Sequence, residues 1–332
     1  MADVIQAKDL RGERRENLID VFPVPAPFTM FIEPTNACNF RCEYCPTGDT
    51  ELLQKVGRKN KLMTWELFTK VVDEMREFPN QLKMVNMYKD GESLIHPRFT
   101  DMVRYLRDAK VTDKIWVKTN GSLLNPEYNQ RLVTCGLDMI GISVQHVNAQ
   151  GFMDIAKVKI DYEEYRANIL DLYQRRGSVG VSVKIADVGL SDANKQKFFD
   201  DFSDRCDFIT IEGLHGWSTS EVKDWKLGTN ASFDGTPRAK KIACPLVLYM
   251  LTVNANGDIS ICNDDWAHYH QIGNAKTENI VEIWNGENLR KFRLMHLEGR
   301  RHENAACKNC DYMEALPDNI DDNLSIYAER IK

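Results

Sequence analysis

Between residues 28 and 214 six short apolar runs alternate with five segments that place apolar residues at helical spacing. The runs are FTMFIE (28–33), LKMVNMY (82–88), KIWVKTNG (114–121), MIGISVQ (139–145), VGVSVKIA (179–186) and FITIEGL (208–214). Helical periodicity fills 64–78, 97–109, 125–136, 162–177 and 191–206. A continuous apolar run marks a strand buried on both faces, and a helical crossover between two strands makes them parallel. The pattern predicts an α/β fold, a parallel sheet covered by helices, and leaves its closure open. Chemistry in such folds collects on the loops that follow strand C-termini. Here those loops carry a cysteine-rich stretch, KDGE, KTNG, SVQH, KIADVG and EGLHGW.

The flanks have other rhythms. Residues 1–27 form an arm ending in the extended VFPVPAPF, and the strand–helix region runs over 28–217. Residues 218–243 lie in a Gly-, Ser- and Thr-rich stretch that reads as a linker or lid. A smaller unit follows over 244–316, with a hairpin turning at Asn256-Gly257 and then helical periodicity over 279–297. Residues 317–332 read as a solvated tail or a cap on the barrel. A net charge of −6 without a basic stripe excludes a nucleic-acid partner held by phosphate contacts. The first 16 residues lack a signal-peptide core, and no apolar run is long enough to span a membrane. A cytoplasmic protein with reduced thiols is expected.

Nine cysteines in that setting call for an account other than disulfides. Cys135 and Cys206 stand alone between helix and strand and read as buried, inert thiols. Cys38, Cys42 and Cys45 are spaced C-x3-C-x2-C, and no fourth ligand follows nearby. Three thiolates on a [4Fe–4S] cube leave one iron open to a small molecule, whereas structural zinc, the competing reading, wants a fourth ligand. Cys244, Cys262, Cys307 and Cys310 supply four thiolates, enough for a closed zinc site or a fully ligated [4Fe–4S] cluster.

The stretch CNFRCEYC, with Tyr44 before its last cysteine, resembles the radical S-adenosylmethionine (SAM) superfamily. YKDGES (88–93) is similar to the family's Gly-Gly-Glu motif, with Asp90 replacing the first glycine and Gly91 and Glu92 fitting. The resemblance implies a partial (β/α)6 TIM-like barrel. It also implies SAM contacts from Thr119, Asn120, Ser143 and Gln145, from Lys184, and from Val188 to Leu190 at the adenine. The C-terminal cysteines with Gly257-x4-Cys262 resemble the SPASM/Twitch extension, reduced to one auxiliary cluster. The implied cofactors are SAM and two [4Fe–4S] clusters, with a flavodoxin- or ferredoxin-type reductant.

Two reactions suit that layout. Relatives such as 2-deoxy-scyllo-inosamine dehydrogenase take a hydrogen atom from a carbinol carbon and pass an electron to the auxiliary cluster. An epimerase instead returns hydrogen from a thiol. Both spare cysteines sit at strand entries, away from the chemistry, which favours oxidation of a sugar or aminocyclitol to a ketone. Peptide maturation is a third class, and a bare electron carrier a fourth. Substrate contacts are expected from His146, Glu212, His215, Trp217, Asp264, Asp265 and Trp266, and a general base from His146, Lys184 or Glu212.

Overall fold

The computed structural model describes residues 3–4, 16–214 and 237–332. Ten strands make one sheet. They are β1 (Asp3–Val4), β2 (Thr29–Ile32), β3 (Leu82–Asn86), β4 (Thr112–Thr119), β5 (Met139–Val144), β6 (Gly180–Ala186), β7 (Phe208–Glu212), β8 (Met250–Val253), β9 (Asp258–Ser260) and β10 (Gly273–Asn274). Their spatial order is β1-β7-β6-β5-β4-β3-β2-β8-β9-β10. Pairing is parallel from β1 through β8 and antiparallel from β8 through β10. The six apolar runs are β2 to β7, each beside its neighbour in the chain, the commonest arrangement for consecutive strands. β1 and β10 end the sheet without meeting, so the barrel is partial and open.

Alternation along each strand sorts its two faces. Ile115 and Val117, Ile140 and Ile142, and Val181 and Val183 are all at most 1% exposed. They share one core with Phe99, Met102 and Leu106, Leu132, Ile169 and Leu172, and Phe198 and Phe202 from the covering helices Phe99–Ala109, Pro126–Val133, Tyr162–Arg175 and Asp192–Phe202. Each such side chain contributes roughly 1.5–3 kcal/mol by burial. The opposite, inward face carries Trp116, Lys118, Gly141, Ser182 and Lys184, with Lys118, Gly141 and Ser182 in register across three strands.

Several elements differ from their sequence reading. The segment 279–297 is two helices, Ile280–Asn285 and Glu287–Leu297. They part at Gly286, where a Cβ would lie 2.8 Å from the Glu282 carbonyl. Short helices Thr50–Lys55 and Ala149–Ala156 have no counterpart in the sequence reading. The tail 317–332 is no solvated end: Ile320, Tyr327 and Ala328 are buried, and Tyr327 packs edge-on against Phe22 at 5.4 Å. The arm is held in turn by Trp284, whose indole donates to the Val24 carbonyl at 3.2 Å. The first strand of the C-terminal hairpin, β8, pairs along the whole of β2, so the smaller unit extends the barrel sheet. No helix among the described residues is long and apolar enough to cross a membrane.

Candidate active site

The cysteine loop leaves β2 and is pinned from both sides. Arg41 and Glu43 donate their backbone N–H groups to the carbonyls of Ala156 and Ile155 at 2.9 and 3.0 Å, satisfying the last turn of helix Ala149–Ala156. Two glycines make the loop possible. A Cβ on Gly48 would lie 2.6 Å from the Cys42 carbonyl oxygen. One on Gly91 would lie 2.4 Å from that of Thr35 and 2.6 Å from that of Ala37. The Gly-Glu motif thus presses its backbone onto the stretch that leads into Cys38, and Glu92 N–H donates to the Ala37 carbonyl at 2.9 Å.

Burial pushes the Cys38 thiol up to about 12 and the Cys42 and Cys45 thiols above their usual range, with Cys45 adding to the rise at Cys38 and both adding to it at Cys42. Thiols that resist ionisation alone, yet stand together, suit a cationic iron core that would ionise all three. The Thr47 hydroxyl lies 2.9 Å from Cys45 Sγ, and Phe40 N–H donates to Cys38 Sγ at 3.4 Å. Among the described residues no three His, Cys, Asp or Glu converge as they would on a single metal ion.

The remaining motif residues gather around this loop. Burial raises the Glu92 carboxyl, against three hydrogen bonds that lower it. Those come from Thr119 Oγ1 at 2.8 Å, Asn120 N–H at 2.6 Å and Leu94 N–H at 3.0 Å. Asn120 also donates to Asn39 Oδ1 at 2.8 Å, next to Cys38. Tyr44 donates to Gln145 Oε1, which lies 3.5 Å from Cys42 Sγ. Ser143 holds Gln145 through its carbonyl at 2.8 Å. Val188 and Leu190 are buried in the loop beyond β6.

Lys184 donates to Glu212 Oε2 at 2.5 Å across the inward face of β6 and β7. His146 lies elsewhere. Its neighbour Gln145 turns inward, so His146 turns to the helix side and fills the space over Gly151, 1.8 Å from where a Cβ would be. His215 and Trp217 lie outside the described residues.

The second thiol group is half-buried, like the first. Desolvation raises Cys244 and Cys307 to about 12, with Cys262 and Cys310 raised as well. Asp264 N–H donates to Cys262 Sγ at 3.3 Å, and Arg301 holds the Cys310 carbonyl at 3.2 Å. Four desolvated thiols with raised pKa values fit an iron–sulfur core for the same reason as the first three.

A buried charge cluster joins the two loops, and the sequence analysis missed it. Asp90 sits between Arg58 at 2.7 Å and Lys89 at 2.9 Å. Burial would raise its carboxyl, but the two cations hold it below the usual range. Arg58 also donates to the Trp266 carbonyl at 2.7 Å and lies 3.5 Å from Glu33. Lys89 donates to the Asp265 carbonyl at 3.2 Å. Asp264, Asp265 and Trp266 are at most 2% exposed. Trp266 packs on Leu52 and Leu53, and Asp265 accepts from the Tyr269 and His270 N–H groups at 3.0 Å. The partners of Asp90 lie 32 residues upstream and on the adjacent lysine, so no local spacing announces the cluster.

An open parallel barrel with two half-buried thiol groups at its loop end defines an iron–sulfur enzyme scaffold. Residues 32–202 match the radical SAM superfamily, and residues 244–311 match SPASM, an iron–sulfur cluster-binding domain. The chain belongs to the radical SAM superfamily, whose members bind SAM on a [4Fe–4S] cluster, and its SPASM part brings auxiliary iron–sulfur. It is 35% identical over 115 residues to a tungsten-containing aldehyde ferredoxin oxidoreductase cofactor-modifying protein of Pyrococcus furiosus, covering 35% of this chain and 30% of that one. It is 26% identical over 205 residues to a GTP 3',8-cyclase of Staphylococcus haemolyticus, covering 58% and 57%. Among solved structures, BtrN in complex with AdoMet and 2-DOIA aligns at TM-score 0.53 and 18% identity, over 85% of this chain and 92% of that one. Streptococcus suis SuiB bound to its precursor peptide SuiA aligns at 0.59 and 10%, over 82% and 67%. At these identities the structural likenesses establish the fold alone.

Proposed function

We propose that the protein oxidises a secondary alcohol of a sugar or aminocyclitol to a ketone, with Cys38, Cys42 and Cys45 holding the SAM-binding cluster and Cys244, Cys262, Cys307 and Cys310 holding one auxiliary cluster. The bound cofactors supply hydrogen-atom abstraction at the first site and a one-electron acceptor at the second.

The carrying observation is the placement of the two other cysteines. Cys135 and Cys206 are each 2% exposed and donate to the helix carbonyls of Leu132 and Phe202, at 3.1 and 3.2 Å. They sit in the helix-side core just before β5 and β7, at the strand ends remote from the cysteine loop. No thiol is left to return a hydrogen atom to the opposite face, which favours oxidation over epimerisation. The Lys184–Glu212 pair suits the proton step: Glu212 takes the hydroxyl proton, and Lys184 fixes the carboxylate toward the barrel interior. Thr119, Asn120 and Glu92 brace the loop that presents the first cluster. BtrN, whose structure holds 2-DOIA, shares the fold and supports an aminocyclitol as the substrate class.

The test is anaerobic turnover of 2-DOIA and related amino sugars in deuterated water, with a flavodoxin- or ferredoxin-type reductant. Ketone without solvent deuterium at carbon is expected. Deuterium incorporated at unchanged oxidation level indicates epimerisation, and modification of a peptide in place of a sugar overturns the reading. Glu212→Gln is expected to lower kcat by 10²-fold or more, the usual scale for a lost general base, while SAM affinity holds.

A further inference from the structure

Four residues stand in one row across the sheet. Thr252 on β8 is in register with Phe31 on β2, Phe31 with Asn86 on β3, and Asn86 with Trp116 on β4. Their exposures are 0, 8, 2 and 9% in that order. Three of them carry a buried polar atom without a hydrogen-bond partner: Thr252 Oγ1, Asn86 Oδ1 and Trp116 Nε1. Each such atom is a desolvation cost unless something meets it. The helix-facing positions beside them, Ile32, Val85, Ile115 and Val117, are apolar and fully packed. The orphaned groups therefore belong to the inward face, where a substrate enters.

The indole edge faces polar neighbours across a glycine. A Cβ on Gly141 would come within 3.3 Å of Trp116 Nε1, Lys118 Cγ and Ser182 Oγ, so these three groups converge on the space that the glycine leaves. Lys118 Nζ lies 5.1 Å from the Trp116 ring. Tyr88 packs edge-on against Trp116 at 6.1 Å and against Phe31 at 5.4 Å. Phe31 and Tyr88 in turn pack in one cluster with Cys244 and Cys262. The row thus runs from the auxiliary thiols toward the strands that carry Lys184 and Glu212.

We propose that Trp116 and Asn86 form a subsite that reads hydroxyl or amino groups on the ring of a neutral or cationic substrate. The indole N–H donates only, and the Asn86 oxygen accepts only. One hydroxyl, or adjacent hydroxyl and amino groups, satisfies both. A carboxylate or phosphate satisfies the indole and leaves the asparagine oxygen unpaired, and an apolar ring leaves both unpaired. A site built this way rejects a substrate that lacks the matching group. The inference rests on the oxidation proposed above and narrows it, because it names the residues that select the ring.

The test uses cluster-loaded, SAM-bound enzyme and isothermal titration with 2-DOIA, glucosamine and cyclohexylamine. Trp116→Phe removes the indole N–H and Asn86→Leu removes the side-chain amide, and thermal melting checks that both fold. Affinity for 2-DOIA or glucosamine is expected to fall tenfold or more in each variant. Cyclohexylamine is expected to bind weakly and equally to all three proteins. Unchanged affinity in both variants means the row meets structural water only and overturns the subsite. So does a wild type that binds neither hydroxylated probe. Ketone formation at wild-type KM in both variants sinks the subsite and leaves the oxidation standing. If only the SuiA peptide binds, and does so equally to all three proteins, both fall.

Discussion

Gly91 shows how little freedom the first thiol loop has. Its absent Cβ would collide with two backbone carbonyls, and backbone cannot give way as a flexible side chain can. Gly91→Ala should displace residues 35–37 and Cys38 with them. The variant is expected to lose the iron of the first group and keep that of the second, read by iron content and by the disappearance of one of two electron paramagnetic resonance signals. His268 reports on the buried charge cluster. Burial, with Lys89 and Arg58 nearby, pushes its imidazole down to about 3. The unfolded chain takes up a proton below about pH 6.5 that the folded chain refuses until about pH 3. Its contribution is complete above the unfolded value and is lost as the pH falls toward 3. Between pH 7 and 5.5 the wild type should lose up to about 1 kcal/mol more stability than His268→Asn, measured by denaturant unfolding. Asparagine is apt there because the backbone at 268 is left-handed, with φ +56. At this scale the cysteines were legible because residue type and spacing are both local. The direction of His146, expected above among the substrate contacts, was misread, although alternation turns it away once Gln145 faces inward. The role of Asp90 was not legible, because its contact with Arg58 spans 32 positions.

The strands and long helices could be read from periodicity, and the hairpin turn fell where Asn-Gly placed it. Gly257 there has φ +91. Helices of six and eight residues escaped because so short a segment offers barely two turns of pattern. One of them matters for the site. Asn148 caps Ala149–Ala156 by accepting from Gly151 N–H at 2.7 Å, and the other end of that helix receives the cysteine loop. Asn148→Ala should cost about 1 kcal/mol in denaturant midpoint. It should also speed iron loss from the first group on dilution into chelator, since fraying at one end loosens carbonyls that the loop depends on. The parallel pairing of β8 with β2 left no mark in the sequence, because an apolar strand does not state which edge it will join.

Across the molecule the two thiol loops are tied by hydrogen bonds from Arg58 and Lys89, both paired with Asp90, to the Trp266 and Asp265 carbonyls, rather than by apolar packing alone. Arg58 and Asp90 are 6% and 1% exposed at their side chains, so removing either partner strands a buried charge. Arg58→Met is expected to destabilise the protein by about 3–5 kcal/mol, whereas exchanging an exposed surface pair such as Lys291–Glu287 should leave the denaturant midpoint essentially unchanged. Urea unfolding of both variants decides this. The edge pairing of β8 has a further consequence for biosynthesis. When a ribosome has delivered the whole of β2 to β7, the open flank of β2 still awaits a partner from residues 250–253. A nascent chain stalled before that point presents a bare strand edge to its neighbours, and such edges recruit other chains. C-terminal truncation before Met250 should therefore yield aggregate rather than a smaller working barrel.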